Sequence, residues 1–292
     1  VEFFWGNEQK FLMYEPLRDD FSKVPALLKF PAFVVSRYLS GLKGKPALGI
    51  KINIETQAPM GSGLGGSSSL AVALRTGLER IFHPVQEQGW RWLTLDWVRD
   101  TEAAFLTTPT GTQDYLAALW GGLRCYSYDL GFTNEKDYGP DLLKQLNDRM
   151  VVIFSGEVHH SGKSNWEIFK AANEKDATVL QGLKKIGQVA EELDALFVAG
   201  NVDWKKAGRL MSEEWEVRKK VFGVHTPRLD ELTAFFLKSK GVLGCKVCGA
   251  AQGGSLIVLV EPDAKEKLLR SCQSESIQVL GTCATSRGVS IV

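Results

Sequence analysis

The sequence predicts an α+β protein in two lobes, and three observations carry that reading. Strand and helix signals are mixed in both halves of the chain. A glycine-rich stretch, Pro59-Met60-Gly61-Ser62-Gly63-Leu64-Gly65-Gly66-Ser67-Ser68-Ser69, separates a strand-like run from a helix-like one. Beyond Met150 the pattern restarts with a short apolar strand and a new succession of helices. The lobes are expected to span 1–148 and 149–292.

Taken in order, the first stretch predicts a helix over Pro25 to Leu42, with Leu27, Leu28, Phe30, Phe33, Val34 and Tyr38 on its buried face and a kink or break at Pro31. Ile50, Ile52 and Ile54 alternate with Lys51, Asn53 and Glu55, the period of a half-buried strand. Leu70 to Phe82 reads as a helix capped by the serines before it. A helix follows over Asp96 to Leu106, then a short ordered segment over Asp114 to Leu119 ended by Gly121-Gly122, and a strand over Leu123 to Tyr128. In the second half Val151 to Phe154 forms a strand, and helices run from Asn165, through Val179 to Leu193, and through Ala207 to Arg218. Thr226-Pro227 opens another helix, a cap followed by Pro in the first turn. Ser255 to Val260 and Val289 to Val292 close the chain as strands.

Composition excludes several function classes. The 292 residues suffice for two compact domains, and 44% hydrophobic with 24% charged content fits a globular protein rather than a disordered or fibrous one. A formal charge of +1 gives no global field toward nucleic acid or an anionic membrane. No apolar run reaches the roughly 18 to 20 residues of a membrane span. The opening Val1-Glu2-Phe3-Phe4-Trp5 has no basic segment of a signal peptide. Five cysteines, an odd number, do not make a disulfide framework and argue against secretion, so a cytoplasmic location is expected. Cys245-Lys246-Val247-Cys248 has the spacing of a zinc or redox pair, but no second pair or histidine cluster completes a zinc site. Two small buried residues are the other reading.

The glycine-rich stretch is the strongest chemical signal. A strand, a glycine turn and a helix start make an anion site, because the first N–H groups of a helix lack intrahelical partners and carry partial positive charge. Glycines let backbone approach a phosphate with no Cβ in the way. A Walker loop would need Lys after Gly66, where Ser67 stands. Gly61, Gly63 and Gly66 satisfy GxGxxG, yet no acidic residue ends a second strand about 20 positions on, as a dinucleotide fold requires. A tight turn with no ligand remains the plain alternative.

Pro59 to Ser68 resembles the phosphate-binding motif of the GHMP kinases, the galacto-, homoserine, mevalonate and phosphomevalonate kinases and their relatives. Two further runs share that resemblance. Lys246-Val247-Cys248-Gly249-Ala250-Ala251-Gln252-Gly253-Gly254 is similar to the family's C-terminal motif, with Cys248 in place of Thr and Ala251 in place of Gly. The second change adds a methyl that is costly if the position has positive φ. Glu102, Gly111, Gln113 and Asp114, followed by Gly121-Gly122, resemble the corresponding run of the sugar kinases.

The resemblance implies a ribosomal-S5-like N-terminal lobe and a ferredoxin-like C-terminal lobe, with ATP held on Pro59, Gly61, Ser62, Gly63, Leu64, Gly65, Gly66, Ser67 and Ser68. It implies Mg²⁺ shared by Ser67 and Glu102, and Asp114 as the base beside the acceptor hydroxyl, where plain chemistry offers a solvated Glu and a helix-capping Asp. Phe154 to Asn165 and Glu214 to Asp230 look like segments of heptose-phosphate kinases. On these three likenesses together Gly111, Gln113, Ser161, Lys163, Gly249, Ala250 and Ala251 are candidate substrate contacts. His159, His160 and Lys163 equally suit a solvated loop.

The family's opening motif, a strand with Pro-x-Arg followed by Gly-Gly, has no counterpart, and Val1 corresponds to a position inside the family pattern. An upstream segment outside this sequence and a protein lacking the motif both remain open. Two functions follow: a Mg-dependent kinase acting on a sugar or sugar phosphate of the heptose 7-phosphate type (or a galactose, fucose or mevalonate kinase), and a non-catalytic nucleotide- or sugar-binding protein on the same fold. Nothing in the sequence sets the oligomeric state.

Overall fold

The structure, a computed structural model, describes residues 1–6, 9–12, 21–43, 49–83, 88–129, 132–158 and 161–292, with backbone alone at 9–12, 132 and 161–164. Two compact units emerge: Val1–Pro59 with Gly65–Trp120 and Gly288–Val292, and Met60–Leu64 with Gly121–Arg287.

In the first unit β1 (Glu2–Trp5) pairs antiparallel with β2 (Gln9–Leu12). After a 3₁₀ turn at Ala26–Leu28 comes α1 (Lys29–Ser40), and β3 (Lys51–Ile54) joins β1 in parallel. Ile54 is buried and Lys51 and Asn53 are exposed, as the alternation requires. Three helices complete the unit: α2 (Gly66–Phe82), α3 (Trp90–Leu106) and α4 (Gln113–Trp120). They pack on one another and on α1, with Phe105 of α3 meeting Phe30 and Phe33 at centroid distances of 5.1 and 5.4 Å.

Several elements depart from expectation for local reasons. Pro31 lies in the first turn of α1, where its missing N–H has no helical partner to lose, so it neither kinks nor splits the helix. Gly89, left-handed at φ 79°, starts α3 six residues before the expected Asp96. Val289–Val292 form no strand. Val289 donates one backbone bond to Ala118 (2.7 Å), and Ile291 and Val292 stay exposed.

The second unit begins with a hairpin, β4 (Arg124–Asp129) and β5 (Phe132–Asp137), followed by α5 (Gly139–Arg149) and β6 (Met150–Phe154). Then come α6 (Ser161–Asn173), α7 (Ala177–Val198), α8 (Trp204–Val217) and α9 (Pro227–Lys238). Strands β7 (Val242–Val247) and β8 (Ser255–Val260), α10 (Pro262–Ser274) and β9 (Gln278–Leu280) end the unit. Its antiparallel sheet runs β7-β8-β6-β9. Asp176, Asp203 and Thr226 cap α7, α8 and α9 with their side chains, Thr226-Pro227 as the sequence predicts.

Both faces of this sheet are covered, which is why β8 is apolar from Leu256 to Val260. Leu256, Val258 and Val260 face a core with Trp215, Leu229 and Phe236, while Leu259 points the other way onto Leu142, Trp204 and Ala207. That second cluster draws α5 into this unit, so 121–148, assigned to the first lobe by sequence, packs with the second. No helix among the described residues is long and apolar enough to cross a membrane.

The seam between α8 and β7 is a backbone contact. A Cβ on Gly244 would strike the carbonyl of Gly208, whereas one on Gly187, in α7, would meet nothing within 4 Å. Gly244→Ala is therefore expected to destabilise the protein by about 1–3 kcal/mol, and Gly187→Ala to stabilise it by about 0.5–1 kcal/mol. Denaturant midpoints check both; a Gly244→Ala midpoint equal to wild type contradicts the packing.

Candidate active site

The glycine-rich stretch divides at Leu64–Gly65. Gly65, left-handed at φ 70°, is the N-cap of α2, and no side chain caps that helix. The serines expected as caps lie inside its first turn, with their hydroxyls committed elsewhere: Ser67 Oγ donates to Glu102 Oε1 (2.6 Å) and Ser68 Oγ to Glu102 Oε2 (3.3 Å). Among the described residues no side-chain cap closes the start of α2, which is the arrangement an anion requires.

Glu102, on α3, is 6% exposed. Its Oε2 also accepts the hydroxyl of Tyr115, from α4. Tyr115 is the member of this hydrogen-bonded cluster that the motifs do not flag; its only sequence signal is its place next to Asp114. Burial, then the charge of Glu102, pushes its phenol well above the ordinary range, so it stays a donor. Hydroxyls are the partners this buried carboxylate finds among the described residues. A buried anion surrounded by neutral oxygens suits a hard divalent cation. Among the described residues no three His, Cys, Asp or Glu side chains cluster. Mg²⁺ held with nucleotide phosphates needs only one or two carboxylates, so Ser67 and Glu102 fit it.

Asp114, on the first turn of α4, stands against the loop: a Cβ on Gly65 would lie 3.1 Å from its Cβ and Cγ. Although the side chain keeps solvent exposure, the protein around its carboxyl partly desolvates it, and with the charge of Glu102 this raises its pKa. Gln113 folds back over Gly111, and both are exposed beside Asp114. Glu102, Asp114, Gly65, Ser67 and Ser68 therefore converge in the first unit.

The second unit builds its own glycine contact. Gly249 and Gly254 press on the loop: Cβ atoms there would lie 3.0 Å from the carbonyl oxygens of Gly63 and Ser62. Arg218, at the start of a π-helical turn after α8, donates to the carbonyls of Val247 (3.0 Å) and Gly249 (2.6 Å). Glu214, 8% exposed, holds Lys246 at 2.9 Å and Arg218 at 3.7 Å. Ala251 is buried with φ 65°, so the substitution of Gly does impose left-handed backbone on an L-residue, at a cost of about 1–2 kcal/mol. Its methyl sits in the apolar core with Val247 and Trp215, which offsets part of that cost.

Cys245 belongs to the same core, and burial, then Glu216, pushes its thiol up to about 12. It is therefore protonated, the opposite of a redox-active or metal-binding thiolate. Of the remaining candidates, Ser161 and Lys163 lie in the first turn of α6 with side chains outside the described residues, as are His159 and His160 entirely.

Comparison with known proteins identifies the family. The model of the GHMP kinases N terminal domain matches residues 31–122 and that of the GHMP kinases C terminal domain residues 190–277, together more than half of the chain. The bifunctional fucokinase/GDP-fucose pyrophosphorylase of Arabidopsis thaliana is 26% identical over 76% of this chain and 21% of its own length. Bos taurus galactokinase is 26% identical, covering 79% of this chain and 64% of its own. The D-glycero-alpha-D-manno-heptose 7-phosphate kinase of Campylobacter jejuni is 25% identical over 88% and 74% respectively. The chain thus spans less than two thirds of the first two relatives. The fold matches the crystal structure of Lactococcus lactis galactokinase complexed with galactose, with TM-score 0.74 at 17% identity over 98% of this chain and 82% of that one.

Two outcomes follow from the geometry. Because the folded-state pKa of Asp114 lies above its ordinary value, the native state binds more protons than the unfolded chain, and stability falls as pH rises through that window. Asp114→Asn should melt higher than wild type at pH 7, with the gap closing below the ordinary value of 3.8; a mutant melting lower at pH 7 refutes the raised pKa. Arg218→Met should speed amide hydrogen exchange across Cys248–Gly254 while leaving α2 protected, and unchanged exchange there would show that Arg218 does not hold the loop.

Proposed function

The chain belongs to the GHMP kinase family, and from that premise we propose that it is a Mg²⁺-dependent kinase transferring the γ-phosphoryl group of ATP to a hydroxyl of a sugar or sugar phosphate. The observation that carries this reading is the convergence of Ser67, Ser68, Glu102 and Asp114 around the uncapped start of α2.

The roles follow from charge and proton bookkeeping. The backbone amides of Gly65–Ser68 and the helix dipole take the nucleotide phosphates, with Pro59, Gly61, Ser62, Gly63 and Leu64 shaping the approach. Mg²⁺, held by Ser67 and Glu102, supplies neutralisation of phosphate charge when bound. Asp114 accepts the proton of the acceptor hydroxyl as its oxygen bonds the γ-phosphorus and the bond to the leaving ADP breaks. A carboxylate with a pKa raised toward neutrality is a better proton acceptor than an ordinary surface Asp. Gly111 and Gln113, exposed next to Asp114, are the proposed contacts of the acceptor in the first unit.

For the acceptor we favour a heptose 7-phosphate type of sugar. The likeness of 154–165 and 214–230 to heptose-phosphate kinases supports it, as does the 88% of this chain that the Campylobacter jejuni relative matches. Ser161, Lys163, Gly249, Ala250 and Ala251 are the proposed contacts of the substrates in the second unit.

An ADP-release assay across heptose 7-phosphate, galactose, fucose and mevalonate tests the activity. Release is expected with a sugar or sugar phosphate, reduced by about 10²-fold or more in Asp114→Asn. No release with any acceptor would favour a binding protein on this fold, and full turnover by Asp114→Asn would remove Asp114 from the base role. In wild type the acid limb of the kcat profile should fall above the ordinary carboxylate value of 3.8, because only ionised Asp114 accepts the proton.

A further inference from the structure

The two oxygens of Glu102 have unequal surroundings. Oε2 accepts Tyr115 and Ser68, the latter at 3.3 Å, while Oε1 meets Ser67 at 2.6 Å. Ser67 is exposed at the start of α2, whereas Tyr115 is 1% exposed and enclosed in the first unit. The Tyr115 phenol also lies 3.3 Å from Thr110 Oγ1, so its position is fixed from a second side.

We propose that Tyr115 is a positioning residue that locks Oε2 of Glu102 inward, so that Oε1, beside Ser67, is the oxygen offered to the metal. This rests on the kinase reading above and adds to it which oxygen binds and what aims it. A carboxylate on a flexible Glu can rotate; a neutral donor anchored in the core fixes its plane without cancelling its charge. Tyr115 is well placed for that task because it follows Asp114 on α4. In a helix adjacent residues project about 100° apart, and here Asp114 stands against Gly65 while Tyr115 meets Glu102. A single helix turn therefore sets both the metal ligand and the base.

The test is Tyr115→Phe, which keeps the ring and removes the donor. Mn²⁺ affinity is measured by electron paramagnetic resonance in the presence of a non-hydrolysable ATP analogue, and affinity for the same analogue is measured without metal. The expected result is a roughly ten- to hundred-fold loss of Mn²⁺ affinity, with metal-free nucleotide affinity unchanged. Wild-type Mn²⁺ affinity in folded Tyr115→Phe overturns the inference, and so does an equal loss of both affinities, which would mark a merely structural role. Should Tyr115→Phe not fold, Thr110→Val removes the second group that fixes the phenol and is read the same way: a several-fold loss confined to Mn²⁺ supports the locked oxygen, and no loss overturns it. Glu102→Gln separates the two levels. If that variant binds Mn²⁺ like wild type, the metal site itself fails; if it loses Mn²⁺ while Tyr115→Phe does not, only the positioning role fails.

Discussion

A single buried carboxylate organises the first unit. Glu102 comes from α3, Ser67 and Ser68 from α2, and Tyr115 from α4, so three helices meet on one side chain. Burying an ionised group is unfavourable unless its acceptor sites are filled, and the hydroxyls fill them. The same bonds turn the serines away from capping α2. The interaction that settles the packing thus also leaves the helix amides open to an anion.

The second unit solves a different problem, that of bringing backbones together. Its glycine run at 249–254, the third of the motif runs in chain order, touches the first through Gly249 and Gly254, where a side chain would collide with carbonyls at Gly63 and Ser62. Left-handed backbone extends across Gly249, Ala251, Gln252, Gly253 and Gly254, and two of these are not glycine. Such a path is unfavourable by itself and persists because it is held from outside. Arg218 binds two carbonyls at its edge, Glu214 secures Arg218 and Lys246, and Ala251 is packed into the core.

Much of this was legible in the chain because it is local. The 2-residue alternation at Ile50–Ile54, the cap at Thr226-Pro227 and the glycines between β3 and α2 depend on neighbours in sequence, and the structure holds each of them. What failed to show depended on distant partners. The serines of α2 look like caps until a carboxylate from α3 claims their hydroxyls. Pro31 looks like a break until its place in the first turn is known. Val289–Val292 has the composition of a strand, but its observed pairing is one bond to the end of α4. Cys245 has the spacing of a metal pair, and only its burial shows it to be a packed thiol.

The sequence by itself determined the kinds of element, the anion-binding character of the glycine-rich stretch and the family resemblance of the three runs, because these rest on residue type and short spacing. Tertiary structure alone decided that Tyr115 and both serines share Glu102, that Asp114 lies on Gly65, that Arg218 holds the third glycine run and that α5 packs with the second unit. Those facts join residues 13 or more positions apart, and such pairings arise from the burial of charge and of apolar surface, which no local pattern encodes.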